Sequence, residues 1–397
     1  MVKKTQQPFQ FIRQIVFLIF LSGIIILQSA CDLHLPPPAP DLFHKYNVIK
    51  IGSGPAYLLS ADFNKDGFPD ILSANGNDHS ATVLMGKGDG TFLTAKRLKV
   101  FPEPSYAATG DLNEDGYPDI VLNSKGSNSL SILLGYGNGN FQPVKRLKTG
   151  RVPLAVIIDD FNNDSHLDLG VTLTFNKLEI YMGTGKAKFI KKETYSTGSR
   201  ALSTVSLDFN GDNFKDIAIA SNSSSESSLR ILQGQGNGLF SLLEKFAQGK
   251  SLSILAKDDM DGNGSEDIVG ASAQGDNMYM LYSTGNGKFL NPIVFSAGGG
   301  PAAITTGNFD RDNLKDIAVA NSRSSSFSVI FRTPQGGLRH PSRDYIVDGG
   351  TPLAITSADF NMDGKTDIAV ASAAIDTVEI YLGRKYLPEI TPSKTKK

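Results

Sequence analysis

The sequence has few of the residues that build redox and catalytic sites. Its 397 residues include one cysteine, no tryptophan and five histidines. A single cysteine excludes an intrachain disulfide, and the histidines do not have the spacing of a zinc site. The chain also lacks an HExxH motif, a nucleophile elbow and a pairing of cysteine with histidine. We therefore find no candidate catalytic residues and expect no enzymatic activity.

The apolar run near the N-terminus is too short for a comfortable transmembrane helix. It spans residues 15–27, and the first 30 residues contain three basic side chains and no acidic one. This pattern predicts a signal peptide over residues 1–30, which is removed on export of the chain.

The only cysteine is a candidate lipidation site. Two small residues precede Cys31 and resemble a bacterial lipoprotein cleavage site, from which Gln28 departs. Lipidation predicts a membrane-anchored lipoprotein of the bacterial cell envelope. Cleavage after Ala30, which gives a periplasmic or secreted protein, and an uncleaved anchor are the alternatives, and all three imply export. Residues 31–42 are rich in proline and predict a stiff tether.

The rest of the chain is a sequence repeat with a step of 48 to 51 residues. The copies align on one position, which is Asp in six copies and Asn in one, and they begin at Asp62, Asp111, Asp160, Asp208, Asp259, Asn308 and Asp359. Each copy contains short apolar runs between turn residues, as in residues 217–220 and 317–320, and no convincing helical period. This repetition predicts an all-β, seven-bladed β-propeller of four-stranded antiparallel blades.

The ends of the repeat region complement each other. Residues 43–55 resemble the fourth-strand segments 92–104 and 141–153, whereas the seventh copy ends at Gly383 without such a segment. We therefore predict a propeller over residues 43–383, with the N-terminal strand completing the last blade and hiding both sheet edges. Residues 384–397 form a basic C-terminal tail. The first strands are expected to begin at Pro55, Pro104, Pro153, Ala201, Leu252, Pro301 and Pro352.

Every repeat contains a nine-residue acidic loop. Positions 1, 3, 5 and 9 carry Asp or Asn, and position 7 can add a backbone carbonyl. Such oxygen ligands suit the six- to eight-fold shell of Ca²⁺ better than the tighter octahedron of Mg²⁺. We predict about seven Ca²⁺ ions, one in each blade. The predicted ligands are, blade by blade, Asp62, Asn64, Asp66, Phe68 and Asp70; Asp111, Asn113, Asp115, Tyr117 and Asp119; Asp160, Asn162, Asp164, His166 and Asp168; Asp208, Asn210, Asp212, Phe214 and Asp216; Asp259, Asp261, Asn263, Ser265 and Asp267; Asn308, Asp310, Asp312, Leu314 and Asp316; and Asp359, Asn361, Asp363, Lys365 and Asp367.

The acidic loops keep a constant charge although the acids change places. Blade 5 combines Asp261 with Asn263, and blade 6 combines Asn308 with Asp310, so each loop has three carboxylates at the ligand positions. Clustered carboxylates are unfavourable without a counter-ion. The alternative is that Asp, Asn and Gly only form good turns, but seven loops with the same charge favour a cation. Position 6 is Gly, Asn or Ser, which predicts a positive φ there.

The acidic loop and a later Gly-x-Gly-x-Gly-x-Phe turn, as in residues 86–92 and 135–141, resemble the FG-GAP/VCBS repeat family. The resemblance covers about residues 43–383. The family includes the propeller of integrin α subunits, some fungal lectins and many bacterial surface proteins. The resemblance implies calcium at the acidic loops, and it does not imply one ligand.

We expect a partner on the face of the ring opposite the acidic loops. The loops between second and third strands and the crossings between blades lie on that face, and they vary while the calcium face repeats. Arg151, Arg200 and Lys250 are candidates for contact with an anionic group, with solvated loop charge as the alternative. We expect a protein or glycan ligand, no nucleic acid, and a monomer. The leading hypothesis is a surface or periplasmic adhesion or assembly module; the alternatives are a carbohydrate-binding lectin and a calcium-dependent polysaccharide lyase.

Overall fold

The computed structural model describes residues 41–221, 227–248, 252–310, 312–333 and 336–384. The chain divides into two compact units, Met1–Asp41 and Leu42–Lys397, and only Asp41 of the first unit is described. The predicted signal peptide, Cys31 and nearly all of the C-terminal tail therefore lie outside the described residues. Within the described ranges, no helix is long and apolar enough to cross a membrane.

The second unit consists of seven four-stranded antiparallel sheets. One 3-10 turn, Lys125–Ser127, is the single helical element among the described residues. The sheets form a seven-bladed β-propeller, so the predicted fold class is confirmed. The strands are β1 (Phe43–Lys50), β2 (Pro55–Ala61), β3 (Asp70–Asn75), β4 (Ser80–Leu84), β5 (Lys96–Lys99), β6 (Ala107–Gly110), β7 (Asp119–Ser124), β8 (Ser129–Leu133), β9 (Lys145–Lys148), β10 (Pro153–Asp159), β11 (Asp168–Leu173), β12 (Lys177–Gly183), β13 (Phe189–Ser196), β14 (Ala201–Leu207), β15 (Asp216–Ser221), β16 (Ser227–Gly234), β17 (Phe240–Gln248), β18 (Ile254–Asp258), β19 (Asp267–Ser272), β20 (Asn277–Leu281), β21 (Ile293–Ser296), β22 (Pro301–Gly307), β23 (Asp316–Asn321), β24 (Ser326–Arg332), β25 (Leu338–Ile346), β26 (Pro352–Ala358), β27 (Asp367–Ser372) and β28 (Thr377–Gly383).

The N-terminal strand closes the ring. Strand β1 pairs antiparallel with β28, and Phe43 lies opposite Gly383. The Phe43 ring packs edge-on against Phe309 and Phe327 of blade 6. The buried Glu379 carboxylate on β28 pairs with Lys45 of β1 at 2.9 Å. The predicted completion of the last blade by the first strand is therefore confirmed.

The hydrophobic core lies between adjacent blades. All six residues of the second strand of each blade are buried. Alternate side chains pack towards opposite neighbours: Ile71 joins a cluster with Phe360 of blade 7, and Leu72 joins one with Ile120 of blade 2. Because both faces of these strands are buried, their sequences are continuous apolar runs and do not alternate between apolar and polar residues.

The first strands of blades 1, 4, 5, 6 and 7, with Ser105 and Tyr106 of blade 2, line a cavity of about 200 Å³. Two of them start later than the sequence predicts: β6 starts at Ala107 instead of Pro104, and β18 at Ile254 instead of Leu252. In blade 2 the Asn123 side chain accepts the N–H groups of Ser105 and Tyr106, both at 2.8 Å, which replaces the strand ladder there. The sequence gives no local sign of this cross-strand bond.

Candidate metal centres

Each acidic loop joins the first strand of a blade to the second. Both ends of the loop are pinned in the core, because position 2 and position 10 are buried in all seven blades; in blade 1 these are Phe63 and Ile71. Position 6 has a positive φ in every loop, from 66° at Asn213 to 87° at Gly67, as the sequence predicts. Position 4 also has a positive φ in the six loops where it is described, which the sequence analysis did not anticipate.

The aspartate at position 9 ties the acidic loop to a distant turn. In blade 1, Asp70 Oδ2 accepts the N–H of Phe63 at 2.8 Å, and Oδ1 accepts the N–H of Gly86, beyond the third strand, at 2.7 Å. The same two bonds, at 2.7 to 2.9 Å, recur in the other six blades. Position 9 is therefore a structural clamp as well as a candidate ligand.

Positions 1 and 5 fold the loop around its own backbone. In blade 1, Asp62 Oδ2 accepts the N–H of Gly67 at 2.9 Å, and Asp66 Oδ1 accepts the N–H of Phe68 at 2.9 Å. Asn64 Nδ2 donates to Asp66 Oδ2 at 2.7 Å. Side chains at 1, 3 and 5 thus lie on the inside of one turn, which places their oxygens together.

The clamp aspartates have raised pKa values. Burial raises the pKa of Asp70, Asp119, Asp168, Asp216 and Asp267 to about 6 despite the two backbone hydrogen bonds, and the neighbouring loop carboxylates contribute in the same direction. The same causes raise the pKa of the clamps in blades 6 and 7 to about 7. Ionised clamps at neutral pH are therefore costly in these loops unless positive charge is supplied.

The carboxylates converge most closely in blades 5 and 6. Their oxygens lie within 4.8 Å of one another in the triads Asp259, Asp261, Asp267 and Asp310, Asp312, Asp316. These are the two blades with Asp at position 3. Such oxygen-only clusters fit a hard cation. All six aspartates are among the ligands predicted from the sequence, but this difference between the blades was not predicted.

Protein cations pair with carboxylates at the ligand positions of two acidic loops. Arg339 of β25 pairs with Asp310 at 3.2 Å, and Lys365 pairs with Asp363 within the loop of blade 7. In blade 5, by contrast, no described cationic side chain pairs with any of the three carboxylates. Of the two carboxylate triads, the one in blade 5 is therefore the one without a protein cation.

The Gly-rich turns pack directly on the acidic loops. A Cβ at Gly86 would lie 2.3 Å from the carbonyl oxygen of Pro69, and one at Gly88 would lie 2.5 Å from the Phe68 ring. The third glycine reaches the neighbouring blade, because Gly90 donates its N–H to the Phe360 carbonyl of blade 7 at 2.9 Å. Equivalent bonds join blades 3 to 2, 4 to 3 and 5 to 4. The loop, its own turn and the neighbouring loop form one hydrogen-bonded unit.

Three cations were predicted on the face opposite the acidic loops, and two of them lie in segments between blades that the structure describes. Arg151 lies between β9 and β10, Arg200 lies between β13 and β14, and both are exposed. Lys250 lies outside the described residues.

Five stretches of the chain match the FG-GAP-like repeat, and they span residues 62–122, 111–171, 160–219, 259–319 and 308–370. Together they cover more than half of the chain. The chain belongs to the FG-GAP-like repeat family. Each match to an FG-GAP-like repeat begins at position 1 of an acidic loop, which confirms the resemblance seen in the sequence. No curated protein matches the chain.

Several solved structures share the fold of this FG-GAP-like chain. BBS1N in complex with ARL6DN has 12% identity and a TM-score of 0.60, over 87% of this chain and 98% of that one. An Agrocybe aegerita lectin that recognises non-reducing terminal N-acetylglucosamine has 17% identity and a TM-score of 0.54, over 80% and 85%. Chaetomium thermophilum Raptor has 13% identity and a TM-score of 0.59, over 87% and 29%. At these identities the likeness shows the fold alone.

Proposed function

We propose that the chain is a calcium-stabilised binding module that engages a partner protein through the face opposite its acidic loops. The carboxylate triads of blades 5 and 6 are the observation that supports the metal. Asp259, Asp261 and Asp267 would hold the ion in blade 5. Bound Ca²⁺ supplies positive charge that offsets the buried, closely spaced carboxylates.

The clamp is compatible with this proposal. Asp267 Oδ1 accepts only the N–H of Ser283, at 2.7 Å, and keeps a second lone pair for a cation, whereas Oδ2 accepts the N–H groups of Met260 at 2.8 Å and Asp261 at 3.2 Å. The clamp holds the carboxylate at the base of the loop whether or not an ion is bound. The loops are therefore positioned by the blades before they bind.

Thermal unfolding tests the calcium proposal. Ions that bind only the folded loops stabilise by mass action, so the melting temperature should rise with CaCl₂ and fall in excess EDTA. Metal analysis of Asp261→Asn should show fewer bound ions than wild type, and Glu193→Gln on the outer strand β13 is the matched control. An unchanged melting temperature in EDTA would rule out the calcium proposal.

The binding role draws support from the two faces of the ring. The acidic loops repeat, while the opposite loops differ from blade to blade. A propeller of the same fold was solved in complex with ARL6DN, which favours a protein partner. The lectin of the same fold recognises a sugar, so a glycan array is the direct check on the alternative. Strong, specific glycan signals without protein binding would replace the leading proposal.

Export and lipidation belong to the same proposal. The first 30 residues and Cys31 support an envelope lipoprotein. Mass spectrometry of the mature N-terminus should find a lipid-modified Cys31, and Cys31→Ser should release the protein from the membrane fraction. An unmodified cysteine in wild type would contradict lipidation without affecting the calcium proposal.

A further inference from the structure

The loop between β11 and β12 is shorter than its counterparts. Leu173 pairs with Lys177, which leaves three residues, whereas the corresponding loops of blades 1, 2, 5, 6 and 7 have four. The short loop places Phe175 at φ 65° and Asn176 at φ 61°. Asparagine tolerates this left-handed region, but a bulky phenylalanine adopts it only at a cost.

Phe175 gains no burial in return for this strain. Its residue is 67% exposed, and its ring contact is with the guanidinium of Arg151, at 5.4 Å from the ring centroid. Backbone strain that no burial of the side chain offsets is characteristic of binding surfaces. The exposed ring therefore calls for an explanation outside the fold.

Hydrogen bonds hold Arg151 and Phe175 side by side. Thr174 Oγ1 donates to the Arg151 carbonyl at 2.9 Å, and the Thr174 N–H donates to the Val152 carbonyl at 3.1 Å. Val152 in turn donates to Asn128 Oδ1 at 2.8 Å, although its own φ is 49°, which is rare for a β-branched residue. Two strained loops are thus bonded together, so a ligand would meet a pre-organised pair.

More positive charge lies on the same face. The crossing that carries Arg200 is bonded to the Phe175 loop, because Thr197 donates its N–H to the Asn176 carbonyl at 2.9 Å and Asn176 Nδ2 donates to the Gly198 carbonyl at 3.2 Å. Among the described residues, neither Arg151 nor Arg200 forms an ion pair. These cations are available to an incoming anion.

We propose that Phe175 and Arg151, with Arg200 on the neighbouring crossing, form a docking site for an acidic segment of a partner protein that carries apolar side chains among its carboxylates. The proposal rests on the proposed binding function and names its site. A guanidinium fork matches a carboxylate, and the exposed ring covers an apolar side chain. Aromatic and Arg side chains dominate protein interfaces. A protruding ring favours a macromolecule, because small-molecule sites are concave.

The test measures binding of a short labelled peptide of glutamates interspersed with leucines, by fluorescence anisotropy, to the full-length chain in calcium. Phe175→Ala and Arg151→Gln should each weaken binding roughly tenfold. Tyr136→Ala on the acidic-loop face and Lys192→Gln on β13 are matched controls and should leave affinity unchanged. A peptide of glutamates alone should bind more weakly than the leucine-containing one, because it offers nothing to the ring.

Phe175→Asn separates binding from folding. Asparagine accepts the left-handed backbone, so the melting temperature should stay the same or rise while affinity for the peptide falls. Full affinity in both Phe175→Asn and Arg151→Gln would overturn the site. Polygalacturonate that binds more tightly than the peptide, with the same sensitivity to both variants, would also overturn it in favour of a polysaccharide. Intact peptide binding with a melting temperature that EDTA does not change would instead overturn the calcium proposal alone.

Discussion

Replacing Glu179 with alanine should destabilise blade 3 and loosen the crossing that carries Arg151. Glu179 is buried on β12, where Oε2 accepts the N–H of Gly150 at 2.9 Å and the O–H of Tyr181 at 2.7 Å. Lys191 of β13 pairs with Oε1 at 2.5 Å. Alanine leaves the Gly150 N–H without an acceptor and leaves the Tyr181 O–H only the Lys148 carbonyl, at 3.4 Å.

The structure gives the size of the effect. Each hydrogen bond to a buried charged acceptor contributes about 1.5–3 kcal/mol to stability, and Gly150 and Tyr181 each lose one. Lys191 is nearly half exposed and recovers hydration from water, so its ion pair adds little. We expect a loss of about 3–5 kcal/mol in the free energy of unfolding for Glu179→Ala. Glu179→Gln keeps an acceptor oxygen and should cost about half as much.

Urea unfolding followed by circular dichroism, in calcium at neutral pH, measures this loss. Glu193→Gln, on the exposed part of β13, should change stability by less than about 0.5 kcal/mol. Glu379→Ala in blade 7 should cost less: Glu379 accepts from Gly349 at 2.9 Å and Tyr381 at 2.8 Å, but the Tyr381 O–H also reaches the Ile346 carbonyl at 2.9 Å and keeps that acceptor. A loss below about 1 kcal/mol for Glu179→Ala would refute the reasoning, since it would mean that the two donors find other partners.

Acid should remove the stabilisation that the ionised Glu179 carboxylate gives to the folded state. Burial opposes ionisation of Glu179, but hydrogen bonds from Lys191, Gly150 and Tyr181 prevail and hold its pKa below the usual 4.5. Because the folded pKa is lower than the unfolded one, the stabilisation is present above about pH 4.5 and is lost as the pH falls through the folded pKa. The stability difference between wild type and Glu179→Gln should therefore shrink on acidification. A difference that stays constant to low pH would contradict the assignment.

Two further predictions concern the acidic loops and their turns. Gly137→Ala should destabilise the fold more than Gly116→Ala: both have a positive φ, but a Cβ at Gly137 would lie 2.1 Å from the Tyr117 ring, whereas Gly116 has nothing within 4 Å. Equal melting temperatures for the two variants would show that the ring moves aside freely. Arg339→Gln should tighten Ca²⁺ binding in blade 6, because the arginine pairs with Asp310 at 3.2 Å and competes with the ion. Calcium titration calorimetry that finds no tighter site would contradict this competition.

The fold was predictable because the repeat is visible in the chain itself. Seven acidic positions at a nearly constant step, each followed by a buried apolar run, leave few architectures other than a propeller. The closure by β1 was also readable, since residues 43–55 match the fourth strands of other blades. Both inferences depend on local sequence, which repeats together with the structure.

The clamp at position 9 was not predicted, because its second bond joins residues about one hairpin apart. Asp119 accepts the N–H of Gly135 at 2.8 Å, a contact that only the folded blade brings together. A signal was nevertheless present: position 9 is Asp in all seven loops, while positions 1, 3 and 5 exchange Asp and Asn. An amide cannot replace a carboxylate that accepts from two backbone donors, because one of its two polar atoms is itself a donor.

The strained backbone of Phe175 was not predicted from the sequence, for a different reason. Its strain arises from the pairing of Leu173 with Lys177, so it is a property of register and not of residue type. A loop one residue short is visible in the sequence only after the strand ends are known. The neighbouring Arg151 could be named as a candidate from the sequence, because charge, unlike backbone conformation, is evident from the residue itself.

The pairing of β1 with β28 has a consequence for folding kinetics. Phe43 and Gly383 meet across 340 positions of the chain, and closing a loop of that length costs about 5 kcal/mol of chain entropy. The outer edge of β28 stays unpaired until this closure occurs, although the other six sheets use only strands that are consecutive in the chain. We therefore expect completion of the seventh blade to be the slow step of folding, and a chain that stalls before it would present an open strand edge to its neighbours.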